Sequence, residues 1–314
     1  MNRRALVVTH SGRQEAVAAT AEAIRQLEDV GFELVAEVDG VDLTGVEIAV
    51  VLGGDGTILR AAEVTRGTDI PLLGFNLGHV GFLAESERED IRAAVRRLAA
   101  RDYEVEERAT LDVSVSVPGA ARPLHDWALN EATVEKADRS RMVEVVIEVD
   151  GRPLSTFGCD GVVMATATGS TAHAFSAGGP VVWPDVDAML LVPISAHALF
   201  ARPLVVGPAS VLAIEVLPRT GAAGVLSCDG RRRTALPVGA RVEVRRSTIP
   251  VRLARLSRAP FTDRLVSKFA LPVDGWRGRP DGFARGDDAG TAARTDARTD
   301  AVPSQPAADA VRGG

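Results

Sequence analysis

Ile48-Ala49-Val50-Val51-Leu52-Gly53-Gly54-Asp55-Gly56-Thr57 is the stretch that decides how this chain folds. A β-branched apolar run ending in a glycine cluster predicts a buried parallel strand that enters a tight loop. Ile58-Leu59-Arg60-Ala61-Ala62-Glu63 follows and consists of good helix formers. The loop therefore lies between a strand end and a helix start, where backbone N–H groups are unpaired and anions bind. Glycines let that backbone come close to phosphate oxygens. Asp55 is the one carboxylate in the loop, and bare phosphate would repel it. A different role is needed for it, either accepting a proton or holding a metal ion. A plain strand–turn–helix connection with Asp55 as N-cap is the bland reading of the same residues.

On either side of this stretch, strands are predicted at Ala5–Thr9, Phe32–Val38 and Pro71–Phe75. Helices are predicted at Glu15–Val30, Thr57–Val64 and Glu87–Ala100, with Gly31 stopping the first. This alternation predicts an α/β domain, a Rossmann-like parallel sheet with helices on its faces, over residues 1–105. From Tyr103 to about Arg255 the apolar runs become strand-like. Leu111–Val117 alternates with period two. Met142–Val149 and Arg152–Phe157 flank Asp150-Gly151 as a hairpin. Val211–Val216, Gly224–Leu226 and Arg241–Val244 continue the pattern, so residues 106–256 are expected to form a second, β-rich domain. Phe261–Phe269 reads as a helix that packs back on the first domain, within a segment 257–277. Residues 278–314 lose their apolar content and repeat Thr-Asp-Ala at Thr295 and Thr299, which predicts a disordered tail.

Composition narrows the function classes. A hydrophobic fraction of 46% supports a substantial core, and a 4% aromatic fraction means that aliphatic side chains must fill it. A net charge of -6 argues against bulk nucleic-acid binding. Lys136 and Lys268 are the only lysines, so the basic groups are nearly all arginine. Cys159 and Cys228 are far apart and lack Cys-x-x-Cys spacing, which argues against a structural zinc or a disulfide scaffold and suits a cytoplasmic protein. No signal peptide or membrane helix is expected.

Two further constellations carry chemistry. In Asp160 to Pro180 a strand runs to Thr166. Then comes a hydroxyl-rich turn with Thr168, Gly169, Ser170 and Thr171, a short helical stretch, and Gly178-Gly179-Pro180. Hydroxyls and N–H groups at a helix start make a second polar cradle beside that of Gly53, Gly54 and Thr57. A turn with local side-chain caps is the plainer alternative. Asn130-Glu131, after Trp127-Ala128-Leu129, sets an amide beside a carboxylate at a strand end. That pair can clamp a ribose diol or an adenine edge, although a surface turn is the default for a bare dipeptide.

These constellations, in this order, resemble the NAD kinase family, in its actinobacterial form. Asn76-Leu77-Gly78-His79-Val80-Gly81-Phe82-Leu83, Ile194 to Leu204, Ser227-Cys228-Asp229-Gly230 and Ala259 to Leu265 extend the match from about Arg4 to about Arg277. The resemblance implies an α/β domain, a β-sandwich-like domain and a C-terminal segment returning to the first. It implies phosphorylation of the 2′-hydroxyl of the adenosine ribose of NAD, with ATP or polyphosphate as donor and magnesium as the divalent cation. It further implies a homodimer or homotetramer whose NAD sites are completed across the interface. Asp55 falls at the proton-accepting position, which agrees with a carboxylate taking a ribose hydroxyl's proton. Gly56, Arg60, Asn130, Glu131, Arg141, Asp160 and Arg231 fall at NAD-contacting positions. Thr171, Ala172, His173, Ala174, Phe175 and Ser176 fall on the segment that wraps the dinucleotide.

The chain departs from the family pattern at three positions. His173 stands where Tyr is usual, which implies weaker or pH-sensitive NAD binding, since imidazole titrates near neutrality. Ala167 stands where Pro is usual, and Gly158 where Arg is frequent. A lipid or sphingoid-base kinase shares the Gly-Gly-Asp-Gly-Thr loop but not the Asp160–Pro180 stretch. A non-catalytic NAD(P)-binding regulator is the alternative outside the enzymes.

Overall fold

The computed structural model describes residues 3–9, 14–38, 40–76, 81–84, 86–87, 91–219, 221–256 and 260–273. His10, Leu77–Val80 and the tail beyond 273 lie outside them.

The first layer is a mostly parallel sheet. It contains β1 (Arg3–Thr9), β2 (Phe32–Ala36), β3 (Val46–Leu52), β4 (Leu72–Asn76), the two-residue β5 (Ser86–Glu87), β6 (Glu104–Arg108) and β19 (Val251–Arg255). The strand order is β2-β1-β3-β4-β19-β6, with β5 on β4. All neighbours are parallel except β6, which runs antiparallel to β19. The apolar runs are unbroken because both faces are covered. Ala5, Val7, Ile48, Val50 and Leu52 pack with Ala23 and Leu27 of α1 (Gln14–Asp29) and with Ala94, Val95 and Leu98 of α3 (Ile91–Ala99). The alternating residues Leu6, Val8, Ala49 and Val51 pack with Ile58, Leu59, Ala61 and Ala62 of α2 (Asp55–Val64). Gly31 ends α1 with φ +90°, a conformation that favours glycine. α3 begins later than the sequence suggests. Glu87 pairs with Asn76 in β5 instead, because a sheet edge at the end of β4 takes the chain first.

The second layer pair is antiparallel. One sheet has the order β11-β10-β15-β18-β7-β8 and the other β14-β13-β12-β9-β16-β17. The first comprises β7 (Leu111–Ser116), β8 (Leu124–Ala128), β10 (Val143–Val149), β11 (Arg152–Cys159), β15 (Val211–Val216) and β18 (Arg241–Arg246). The second comprises β9 (Glu131–Lys136), β12 (Gly161–Thr166), β13 (Met189–Ile194), β14 (Leu204–Val206), β16 (Gly224–Cys228) and β17 (Arg232–Leu236). Their inner faces share one core, with Val113, Val145, Ile147 and Ile214 from one sheet and Val134, Met164, Leu191 and Leu226 from the other. Cys159 and Cys228 are buried in it, and burial pushes both thiols up, Cys159 to about 12. Neither is poised as a nucleophile. Asp150 (φ +53°) and Gly151 (φ +72°) form the turn between β10 and β11, as the Asp-Gly signal requires.

The outer face of the second sheet is capped by α4 (His173–Ser176) and the segment after it. Val163, Ala165, Leu190 and Val192 pack there with Ala174 and Val182. α5 (Phe261–Phe269) follows β19. Met1–Leu271 make up one compact unit. Of Pro272–Gly314 only residues 272–273 are described, and they carry no helix or strand. Among the described residues no helix is long and apolar enough to cross a membrane.

Candidate active site

The turn from β3 into α2 is built by contact, not only by flexibility. A Cβ on Gly53 would lie 2.3 Å from Thr57 Oγ1, so glycine is what lets Thr57 fold back over the loop. Thr57 is itself buried. Gly54 is the N-cap of α2, and its carbonyl accepts from the N–H groups of Thr57 (2.9 Å) and Ile58 (3.2 Å). Asp55 is the first residue of the helix. Its Oδ2 accepts the Phe82 N–H and its Oδ1 the Leu83 N–H, both at 3.1 Å. A Cβ on Gly81 would meet Asp55 Oδ1 at 2.4 Å, so Gly81 admits the carboxylate to this position. The two glycine motifs of the sequence thus meet at one side chain.

Asn130 and Glu131 are held beside this loop by Leu129. That residue is fully buried in the same cluster as Ile58, Leu59 and Leu83. Asp229 fixes the backbone here. Its carboxylate accepts the N–H groups of Leu129 (2.9 Å), Asn130 (2.7 Å) and Glu131 (3.4 Å). Asp229 (φ +52°) and Gly230 (φ +66°) form the hairpin turn between β16 and β17. The sequence alone shows this Asp-Gly pair without a role for its carboxylate; a buried turn aspartate is the signal. Thr166 donates its hydroxyl to the Leu129 carbonyl (2.7 Å) and accepts the Gly169 N–H (3.1 Å). A Cβ on Gly169 would lie 2.0 Å from the Asn130 carbonyl oxygen.

Glu131 is buried, and its Oε2 has no protein partner. Burial, and then the charge of Asp229, push its carboxyl up to about 8, against a hydrogen bond from the His173 N–H. Asp229 is raised too, by burial first. This is a pair of carboxyls kept from ionising together, and one of them keeps a buried oxygen without a protein partner.

Thr171, Ala172 and His173 are half-buried, Ala174 is buried, and Phe175 and Ser176 are exposed. They form a continuous rim next to Glu131. Ser170 does not face that rim. It is fully buried, and its hydroxyl bridges the Val182 N–H (2.9 Å) and carbonyl (3.2 Å). Ala167 has φ -56°, a value that proline also holds.

Other expected residues lie elsewhere. Arg60 turns to Glu37 (2.7 Å) and lines a cavity of about 520 Å³ with Thr9, Glu37, Val38 and Val64. Arg231 meets Glu63 of α2 at 3.0 Å. Asp160 lies at the far end of the β9–β12 pair. Gly161 is paired with Glu135 and Ala165 with Glu131, which sets Asp160 about 16 Å from Glu131 along the strands. Asp160 is held by Lys136 at 2.5 Å, and this bond holds its carboxyl below the usual range. Arg141 is exposed in the turn before β10. One chain therefore gathers Asp55, Asn130, Glu131 and the 171–176 rim, and leaves Arg141 and Asp160 on another face.

The family model of the ATP-NAD kinase N-terminal domain matches residues 5–103, and that of the ATP-NAD kinase C-terminal domain matches residues 129–256. The chain belongs to the NAD kinase family. It is 61% identical over 300 residues to the NAD kinase of Leifsonia xyli subsp. xyli, covering 88% of this chain and 97% of that protein. It is 57% identical to the NAD kinase of Thermobifida fusca, covering 88% and 92%. The fold is shared with yeast NADH kinase complexed with NADH (TM-score 0.79, 22% identity, 88% and 90% covered). It is also shared with an NAD kinase from Archaeoglobus fulgidus in complex with ATP (TM-score 0.67, 28% identity, 85% and 98% covered). As an NAD kinase family member the chain is a phosphotransferase.

Among the described residues no group of three His, Cys, Asp or Glu side chains comes together as a metal cage. Asp55 is the carboxylate at the NAD kinase loop. A single loop carboxylate fits a hard divalent cation such as magnesium, which takes oxygen ligands.

Proposed function

We propose that the protein transfers the terminal phosphoryl group of ATP to the 2′-hydroxyl of the adenosine ribose of NAD, giving NADP. Polyphosphate is a second donor of the same chemistry. Asp55 takes the proton of that hydroxyl as its oxygen bonds to phosphorus and the bond from phosphorus to the leaving oxygen of the donor breaks. The Phe82 and Leu83 N–H groups keep the carboxylate aimed. Gly53, Gly54 and Thr57 shape the turn that lies under the phosphates, with the α2 N–H groups directed at them, and Gly56 and Arg60 contact NAD. Gly169 and Ser170 shape the second turn: one admits the Asn130 backbone, and the other ties the turn to Val182. Asn130 and Glu131 hold the adenosine, and the Thr171–Ser176 rim lies along the rest of NAD. Asp55 is the loop carboxylate that would face magnesium, which when bound would supply charge neutralisation on the donor phosphates.

Arg141, Asp160 and Arg231 contact NAD in an assembly, where one copy completes the site of another. The separate location of Arg141 and Asp160 supports that reading, and it agrees with a homodimer or homotetramer. A cytoplasmic setting, where both substrates are made, fits the two buried, free thiols.

The observation that carries the proposal is the shared burial of Leu129 with Ile58, Leu59 and Leu83, which sets the nucleoside clamp beside Asp55. Purified protein incubated with NAD, ATP and magnesium should form NADP. NAD binding without turnover would favour a regulator, and phosphorylation of diacylglycerol but not NAD would favour a lipid kinase.

A further inference from the structure

One of the two peptide groups that hold Asp55 is gripped from behind by an arginine, and a second arginine grips the peptide group that follows it. The Leu83 N–H that donates to Asp55 Oδ1 belongs to the same peptide unit as the Phe82 carbonyl, and that carbonyl accepts from Arg264 Nη1 of α5 at 3.2 Å. The unit is planar, so fixing the carbonyl direction fixes the N–H direction. A guanidinium on the carbonyl also polarises the N–H toward the carboxylate. The next carbonyl, that of Leu83, accepts from Arg255 Nη1 at 3.1 Å. Arg255 is anchored in the sheet: its Nε meets Glu106 at 2.6 Å, and Glu106 also holds the buried Arg108 at 2.9 Å.

Arg264 stands on a different kind of support. No residue of α5 is buried. The helix is seated by rings. Phe261 and Phe269 lie 5.9 Å and 5.8 Å from Phe82, and Trp183 meets Phe261 edge-on at 5.3 Å. Phe269 also stacks on Phe175 of α4 at 4.6 Å. One shallowly seated helix thus touches both the loop that holds Asp55 and the rim next to Glu131.

We propose that α5 is a strap that positions the Asp55 carboxylate, with Arg264 and Phe269 as positioning residues. Arg264 orients the Leu83 N–H. Phe269 links the Phe82 ring to Phe175, so that occupation of the rim is felt at Asp55. The proposal rests on the reading of Asp55 as the base.

The test compares kcat, KM for NAD and calorimetric NAD affinity in the full chain and in Arg264→Ala, Arg264→Lys, Phe269→Leu, Asp55→Asn and Asp55→Asn/Arg264→Ala. Arg264→Ala should lower kcat about 10- to 100-fold, the scale of a small misplacement, with NAD affinity kept. Arg264→Lys should restore most of the loss. Phe269→Leu, which keeps an apolar side chain, should lower kcat in the same sense if Arg264→Ala does not fold. In the Asp55→Asn background, Arg264→Ala should add little, because the group it positions is gone. An equal loss in both backgrounds, or a lowered Tm with unchanged kcat, would overturn the strap while leaving Asp55 as base. Full turnover in Asp55→Asn alone would instead remove the base reading, and the strap with it.

Discussion

Glu131 shows how a single side chain ties stability to the site. Its carboxyl stays protonated in the fold to about pH 8, whereas the unfolded chain releases that proton near the ordinary value of 4.5. The folded state therefore binds more protons between these values. The contribution is complete below about 4.5 and is lost as pH rises toward 8, by at most about 1.4 kcal/mol per pH unit. Asp229, also raised, acts in the same sense. Glu131→Gln should flatten the decline of Tm measured between about pH 5 and pH 8. An unchanged slope would show that Glu131 is already ionised across that range. The Asp55 loop was legible at this scale, since glycines and a lone carboxylate are local signals. Asp229 was not, because its acceptor role joins residues 100 positions apart in the chain.

Among the elements, the meeting of β9 with the turn after β12 is the most constrained. Gly169 lies against the Asn130 backbone with no room for a Cβ. Gly169→Ala must push the Asn130-Glu131 backbone aside, at a cost of about 1–3 kcal/mol. NAD affinity should fall more than the far-ultraviolet dichroism changes; wild-type affinity would show that the turn yields without moving the clamp. Strand and helix identities were readable here because their periodicities differ. The β10–β11 hairpin was readable from Asp150-Gly151. The orientation of Ser170 was not: a serine in a polar turn looks like a ligand group, and only the packing of Val182 turns its hydroxyl inward.

At the level of the molecule, the two architectures are joined by half-buried arginine and tryptophan contacts. Trp127 lies between the guanidinium groups of Arg66 (4.2 Å) and Arg232 (5.0 Å), and Arg232 also holds Asp126 at 2.8 Å. Arg66 reaches across to Ser247 Oγ (3.1 Å) and the Ile249 carbonyl (2.6 Å). Sequence pattern separated an α/β part from a β part, because unbroken apolar runs and alternating runs reflect two-sided and one-sided burial. It did not reveal that β19 inserts between β4 and β6, since nothing local in Val251–Arg255 names its neighbours. That insertion carries Arg255 to the loop behind Asp55, so the chain's return to the first sheet bears on the chemistry.

The role proposed for Asp55 is to take the proton of the NAD ribose hydroxyl. It is tested most directly by measuring NADP formation and NAD binding on the same preparation of Asp55→Asn. Turnover should fall at least about a hundredfold below wild type, with NAD affinity nearly kept. Near-normal turnover in that variant would contradict that role.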